Sequence, residues 1–276
     1  MKQLAVIFLV SILLTCGTIA NKKTFIVHDK PLREVGVDEC TIKYKNKLYD
    51  ENYLLNYRVH VIMVYPVAFK SLTSNYDHYI DTLEQNLNDA FIDEGMKFII
   101  ESSANYYNDY TINNFEKIIW ESENGNSPFE FLNDHINIVV FTEYKNAGVL
   151  GVAAGIPSTV VALNLDRLGT STAVHEMGHA LGLRHTFERD HTKGNTSKYG
   201  DLICDTPAYI MSEGDILGCK YIGEPLYTEE ELKIIIPNYE SYNLSKDDCR
   251  DSFSPQQSLV MRWYTENYPA LYNSLK

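Results

Sequence analysis

The chain has 276 residues, 45% of them hydrophobic and 22% charged, so it can bury a substantial core and is not a disordered segment. Its formal net charge of −13 argues against a nucleic-acid partner, whose phosphates need clustered Lys and Arg, and weakly favours divalent cations near the surface. The length suits one large domain or two lobes.

Residues 1–20, MKQLAVIFLVSILLTCGTIA, place Lys2 before an apolar run that ends in small residues. That pattern predicts a secretory signal peptide cleaved near Ala20, because the run is too short for a comfortable membrane span of roughly 20 residues. Leu13-Leu14-Thr15-Cys16-Gly17 loosely resembles a bacterial lipobox, so a lipid anchor at Cys16 is the alternative, with Thr15 a poor fit. No other segment reads as a stable membrane span. Once the signal is removed, Cys40, Cys204, Cys219 and Cys249 remain, and an even number in an exported chain predicts two disulfides with three connectivities open. Asn195 and Asn243 head Asn-X-Ser/Thr triplets, which a eukaryotic host can glycosylate.

Residues 21–55 are polar, with Pro31 and many lysines, and read as a leader or propeptide-like segment. The main domain is expected over 56–276, with an upper lobe at about 56–183 and a lower lobe at about 184–276. Residues 59–65 are β-branched and aromatic and end at Pro66, which predicts a first strand. Over 77–93 the apolar positions Tyr79, Ile80, Leu83, Leu87, Ala90 and Phe91 follow helical spacing. Residues 96–102 read as a strand and 112–120 as a short helix. The uninterrupted apolar run INIVVFT, 136–142, predicts a central strand. Two more strands are expected over 148–156 and 159–165, followed by a helix capped by Ser171 or Thr172 with Glu176 in its early turns. Beyond 186, Gly, Asp, Asn, Pro and Cys become frequent and periodicity fades until a last helix near 255–268. The pattern predicts an α+β fold: a mixed twisted sheet in the N-terminal lobe, one central helix, and an irregular C-terminal lobe ending in a helix.

The segment HEMGHALGLRH, 175–185, holds three of the chain's eight histidines. On a helix, His175 and His179 share a face and can aim both imidazoles at one point, while Glu176 projects beside it. Gly182 can take the positive φ that reverses the chain, which brings His185 back as a third ligand. Three neutral imidazoles with one open position make a catalytic zinc site, where water fills the fourth place with its pKa lowered to about 7. Glu176 can then take the water's proton and pass it to a leaving amine. The bland reading of any one histidine is a satisfied core residue. A bare HExxH arises by chance in many helices, but the extended HExxHxxGxxH is far more restrictive.

This string resembles the metzincin signature. His175 to Glu188, Gly200-Asp201 to Asp205-Thr206-Pro207-Ala208, Asn238-Tyr239 to Tyr242, Cys249, and Phe253-Ser254-Pro255-Gln256 together resemble the pappalysin (M43) branch, over roughly residues 134–262. The resemblance implies a zincin/metzincin-like fold and an extracellular zinc endopeptidase acting on protein or peptide, often with calcium beside the site. It assigns His175, His179 and His185 as zinc ligands and Glu176 as general base. It also assigns Tyr242, two residues past the family's turn methionine, as a donor to the developing oxyanion; simple packing is the bland alternative. Cys219 and Cys249 match a cysteine pair of pappalysins. That leaves Cys40 and Cys204 to pair with each other, or Cys40 as a free thiolate capping zinc.

The chain departs from the family at one place. Where pappalysins have NYM-x-Y, residues 238–242 read Asn-Tyr-Glu-Ser-Tyr, so Glu240 stands at the methionine position. A buried carboxylate there is costly unless paired or protonated, and can serve as an acceptor for a ligand histidine; alternatively the turn shifts and Met211 or Met261 packs below. Asp201, Asp205 and Thr206 offer the hard oxygens that calcium prefers, though Asp and Thr before Pro also suit an ordinary turn. Residues 150–155, with their glycines and alanines, are the expected edge strand that pairs with an extended peptide substrate. Two rivals stand against a secreted zinc endopeptidase. One is a zinc-binding pseudoprotease that grips peptide without turnover; the other is an adhesion or structural protein with an accidental HExxH.

Overall fold

The computed structural model describes residues 53–70, 77–143, 149–187, 200–203, 205–209, 216–223, 226–241 and 249–276. Expectations for the signal peptide (1–20), the bulk of the leader segment, Cys16, Cys40, Asn195, Cys204, Met211, Tyr242 and Asn243 lie outside these residues.

Five strands form one sheet in the order β2-β1-β3-β5-β4. They are β1 (Leu55–Tyr65), β2 (Met96–Tyr107), β3 (Ile136–Phe141), β4 (Gly151–Ala153) and β5 (Val160–Asn164). β2, β1, β3 and β5 run parallel, and β4 runs antiparallel along the β5 edge. Every residue of β3 is buried and β3 lies in the middle of the sheet, as its unbroken apolar run requires. The strand period of two splits the core. Tyr57, Val59, Val61 and Met63 of β1 face the side carrying α1 (Asp77–Phe91) and α3 (Ser171–Ala180). Ile62 and Val64 face the other side, against Ile112, Phe115 and Ile118 of the segment that becomes α2 (Phe115–Glu123). α1 buries Leu83, Leu87 and Phe91, four residues apart, as its spacing predicts.

Four differences from expectation have local causes. β1 begins at Leu55, inside the predicted leader, because Leu55 is buried and its N–H donates to the Gly95 carbonyl. β2 continues past Ser102 to Tyr107 because β1 pairs with it as far as Tyr65–Tyr107, with a register shift at Val59/His60. β4 is only three residues long. The cap of α3 is Thr170, whose side chain accepts from the Thr172 N–H, while Ser171 is already helical.

The C-terminal part adds a short hairpin, β6 (Ile216–Leu217) and β7 (Lys220–Tyr221), and helices α4 (Glu229–Ile235), α5 (Pro255–Asn267) and α6 (Pro269–Asn273). α5 starts with a reciprocal box between Ser254 and Gln257 and a proline in its first turn. It locks the lobes together. Arg262 donates to the carbonyls of Tyr53, Glu94 and Gly95, and the Tyr57 hydroxyl meets Thr265 at 2.5 Å. Among the described residues, no helix is long and apolar enough to cross a membrane.

Candidate active site

All ten residues of α3 are buried, so the helix that carries the motif is itself a core element. It ends in a Schellman arrangement: Leu183 N–H donates to Gly178 O and Gly182 N–H donates to His179 O. Gly182 takes φ +104°, and the Tyr264 ring fills the space where a side chain would project. The reversed chain returns His185 to the helix. Its Nε2 lies 3.0 Å from His179 Nε2 and 3.2 Å from His175 Nε2.

The other ring nitrogens decide what the two helix atoms are. His175 Nδ1 donates to the Tyr239 carbonyl at 2.7 Å, and His179 Nδ1 donates to the Leu183 carbonyl at 2.9 Å. A carbonyl only accepts, so both protons sit on Nδ1 and both Nε2 atoms present lone pairs. Burial holds all three rings in the neutral form, pushing His179 down to about 4 and His185 down to about 3. The two lone pairs converge with the His185 ring nitrogen on one point, where a cation would satisfy all three. Tetrahedral zinc with bonds of 2.0–2.1 Å would space its ligands by about 3.3 Å. The donor set therefore fits a dication of zinc's size and ligand preference, with the three histidines as the holding residues.

Glu176 stands beside this point and is held by the edge strand. The Ala153 N–H donates to its carboxylate, and a side-chain carbon at Gly151 would lie 2.6 Å from Glu176 Cγ. Glycine at 151 thus lets β4 close over the glutamate. Burial pushes the Glu176 carboxyl up to about 8, against the opposing pull of the Ala153 N–H and the Arg250 charge.

Beneath the histidines runs the turn 238–241. Its register is fixed by α5: Asn238 Nδ2 donates to Gln257 Oε1 at 2.7 Å, and Tyr239 N–H donates to the Ser252 carbonyl. The Glu240 N–H donates to Asn238 Oδ1, and the Glu240 carbonyl accepts from the Thr186 N–H, next to His185. Glu240 itself lies fully buried under the rings, and Met261 is packed in the core elsewhere on α5.

Residues 159–264 match the Peptidase_M43 family model, described as pregnancy-associated plasma protein-A. Over this stretch the chain is similar to the pappalysins. An extracellular metalloprotease of Verticillium alfalfae is 38% identical over 95 residues, covering 34% of this chain and 30% of the relative. One from Pyricularia oryzae is 39% identical over 90 residues, covering 33% and 28%. The chain thus spans about a third of the length of these curated relatives. Among solved structures, mirolysin in complex with compound 9 is similar with TM-score 0.60 and 19% identity, over 80% of this chain and 96% of that one. Mature Tannerella forsythia mirolysin in complex with a cleaved peptide gives TM-score 0.54 at 18% identity, over 80% and 95%. At such identities the likeness is one of fold, and it supports an α+β architecture of a mixed sheet with helices.

Within the matched stretch, the three residues expected to bind calcium are hydrogen-bonded within their loop and to the start of α5. Asp201 accepts from the Ile203 N–H and the Thr206 hydroxyl, and Asp205 accepts from the Ser254 hydroxyl and the Gln256 N–H at the start of α5. Asp201 is buried, and burial, with the Asp205 charge adding, lifts its carboxyl from 3.8 to about 8. The native state therefore keeps a proton that the unfolded chain releases. This contribution to stability is full below the unfolded value of 3.8 and is lost as pH rises through the folded value of about 8. We expect stability to fall by up to about 1.4 kcal/mol per pH unit across that window from this group, and Asp201→Asn to flatten the slope. Denaturant unfolding at about pH 5 and about pH 7 measures it; equal slopes in parent and variant would refute it.

Two residues of the segment escaped the sequence reading. Gln257 pins Asn238, although only Gln256 had been singled out in that run. Arg250 places a positive charge near His175, His185 and Glu176. It follows Cys249, which is bonded to Cys219, so the disulfide expected from the family resemblance ties the β6–β7 hairpin to this cationic position. A lone arginine in an irregular run carries no spacing signal by which it could have been found.

Proposed function

We propose that the chain is a secreted zinc endopeptidase in which His175, His179 and His185 hold the ion and Glu176 is the general base. The observation that carries this reading is the convergence of three ring nitrogens, within 4.8 Å of one another, beside a glutamate held by the sheet edge. Bound zinc supplies a Lewis acid and acidifies water at this point. Glu176 takes a proton there and delivers it to the leaving nitrogen, a role suited to a carboxyl whose environment moves it toward neutral pH. β4, with its small residues at the sheet edge, is the strand against which an extended peptide would align. Tyr242 is assigned as the phenol that donates to the oxyanion.

The relatives named extracellular metalloproteases support secretion, with 1–20 as the signal. The main domain is assigned to 56–276 after a leader at 21–55, and the contacts of Tyr53 and Leu55 support starting it a few residues earlier. Calcium at Asp201, Asp205 and Thr206 stays part of the proposal as a second ion beside the site, with Asp201 and Asp205 also hydrogen-bonded to the loop and to the start of α5.

The test is metal analysis and turnover on the full chain. One equivalent of zinc is expected, with cleavage of a quenched peptide that is abolished by a chelator and restored by zinc. Absence of stoichiometric zinc would remove the proposal. A second reading, a zinc-binding pseudoprotease, is favoured by Glu240 in the methionine place. A zinc-loaded chain whose turnover does not exceed that of its Glu176→Ala variant would establish it.

A further inference from the structure

The carboxylate of Glu240 reaches both zinc-motif helix histidines from below. Its Oε2 lies 3.2 Å from His179 Nδ1 and 3.5 Å from His175 Nδ1. Each of those Nδ1–H groups already points at a backbone carbonyl, so the carboxylate oxygen common to both rings lies beside them at ion-pair distance and acts through its charge. The other oxygen, Oε1, presses on α3 at Gly178, where an added Cβ would lie 2.0 Å from it. A glycine inside a helix is destabilising by about 0.5–1 kcal/mol relative to alanine, so its presence at 178 needs a reason. The close seat of Glu240 supplies one. Helix and turn are thus fitted to each other around this carboxylate.

We infer that Glu240 is a positioning residue of the metal centre: its carboxylate, seated beside both helix imidazoles, makes them stronger donors to the ion. A negatively charged acceptor behind a ligand histidine fixes the ring and raises the basicity of the distal nitrogen, and loss of such a partner typically weakens metal affinity 10- to 100-fold. The backbone carbonyls orient the same rings but carry no net charge, so the carboxylate contributes what they cannot. The family's methionine at this place offers packing alone. This chain adds an electrostatic partner, and the inference rests on the zinc reading of the three histidines.

The test measures the zinc dissociation constant of the full chain, by competition with a chromogenic chelator, for the parent, Glu240→Gln and Glu240→Met. Gln keeps shape and one acceptor but loses the charge; Met restores the apolar filler. We expect both variants to bind zinc about 10- to 100-fold more weakly than the parent, Met more so than Gln, with folded circular dichroism retained. Affinities within about twofold of the parent in Gln would overturn the inference, whatever Met does, because a packing role alone would leave Gln unaffected. If Met fails to fold, Gln carries the test. A parent without stoichiometric zinc would instead overturn the reading of the site, and this inference with it.

Discussion

Replacing Glu176 by glutamine should lower kcat for peptide cleavage by about 10²- to 10⁴-fold while leaving zinc content and thermal stability close to those of the parent. The amide is nearly isosteric, and its oxygen can still accept the Ala153 N–H that holds the side chain against β4. The Nδ1 hydrogen bonds that orient His175 and His179 go to backbone carbonyls, so the ion should remain bound. What the amide lacks is the capacity to accept a proton. Loss of turnover at full metal occupancy would therefore isolate the base function from metal binding and from folding. Steady-state kinetics with metal analysis on the same preparation provide the check. Parent-like kcat in the variant would exclude Glu176 as the base.

Replacing Gly182 by alanine should destabilise the fold by about 2–6 kcal/mol and deplete the site of metal. Two costs add. The residue sits at φ +104°, a conformation that side chains rarely adopt, and such strain costs of order 1–3 kcal/mol. The added methyl would also lie 2.0 Å from a ring carbon of Tyr264, which is buried and part of the main core, so overpacking contributes about 1–3 kcal/mol more. Relief requires the turn after α3 to move, and that turn is what returns His185 to His175 and His179. A lower Tm together with zinc below one equivalent is the expected pair of results. An unchanged Tm with full occupancy would show that the turn tolerates a side chain and that His185 is placed by other contacts.

The motif, its helix and the reversal at Gly182 were legible because each depends on local chemistry. Four-residue spacing sets a helical face, and glycine is the residue for which a positive φ is free of strain. The same holds for β3, whose unbroken apolar run announced a strand covered on both sides, and for the 13-residue α5, with proline in its first turn. The edges of elements were less legible. Nothing local tells β2 to run on through 103–107, where alternate residues are exposed; β1 beside it supplies the reason. Likewise Leu55 enters the sheet because Gly95 and Met96 await it across the strand.

Spacing within one helix and one turn was enough to specify three converging imidazoles and a neighbouring glutamate, because all four lie within eleven residues and obey short-range geometry. The carbonyl of Tyr239 under His175, the Gln257 clasp on Asn238, the Arg250 charge and the seat of Glu240 against Gly178 required the folded chain. These contacts join residues far apart in sequence, and their partners are backbone groups or single side chains with no periodicity of their own. Only the docking of the 238–241 turn and α5 beneath α3 brings them within hydrogen-bonding range, and there burial and charge set the protonation and orientation of the site.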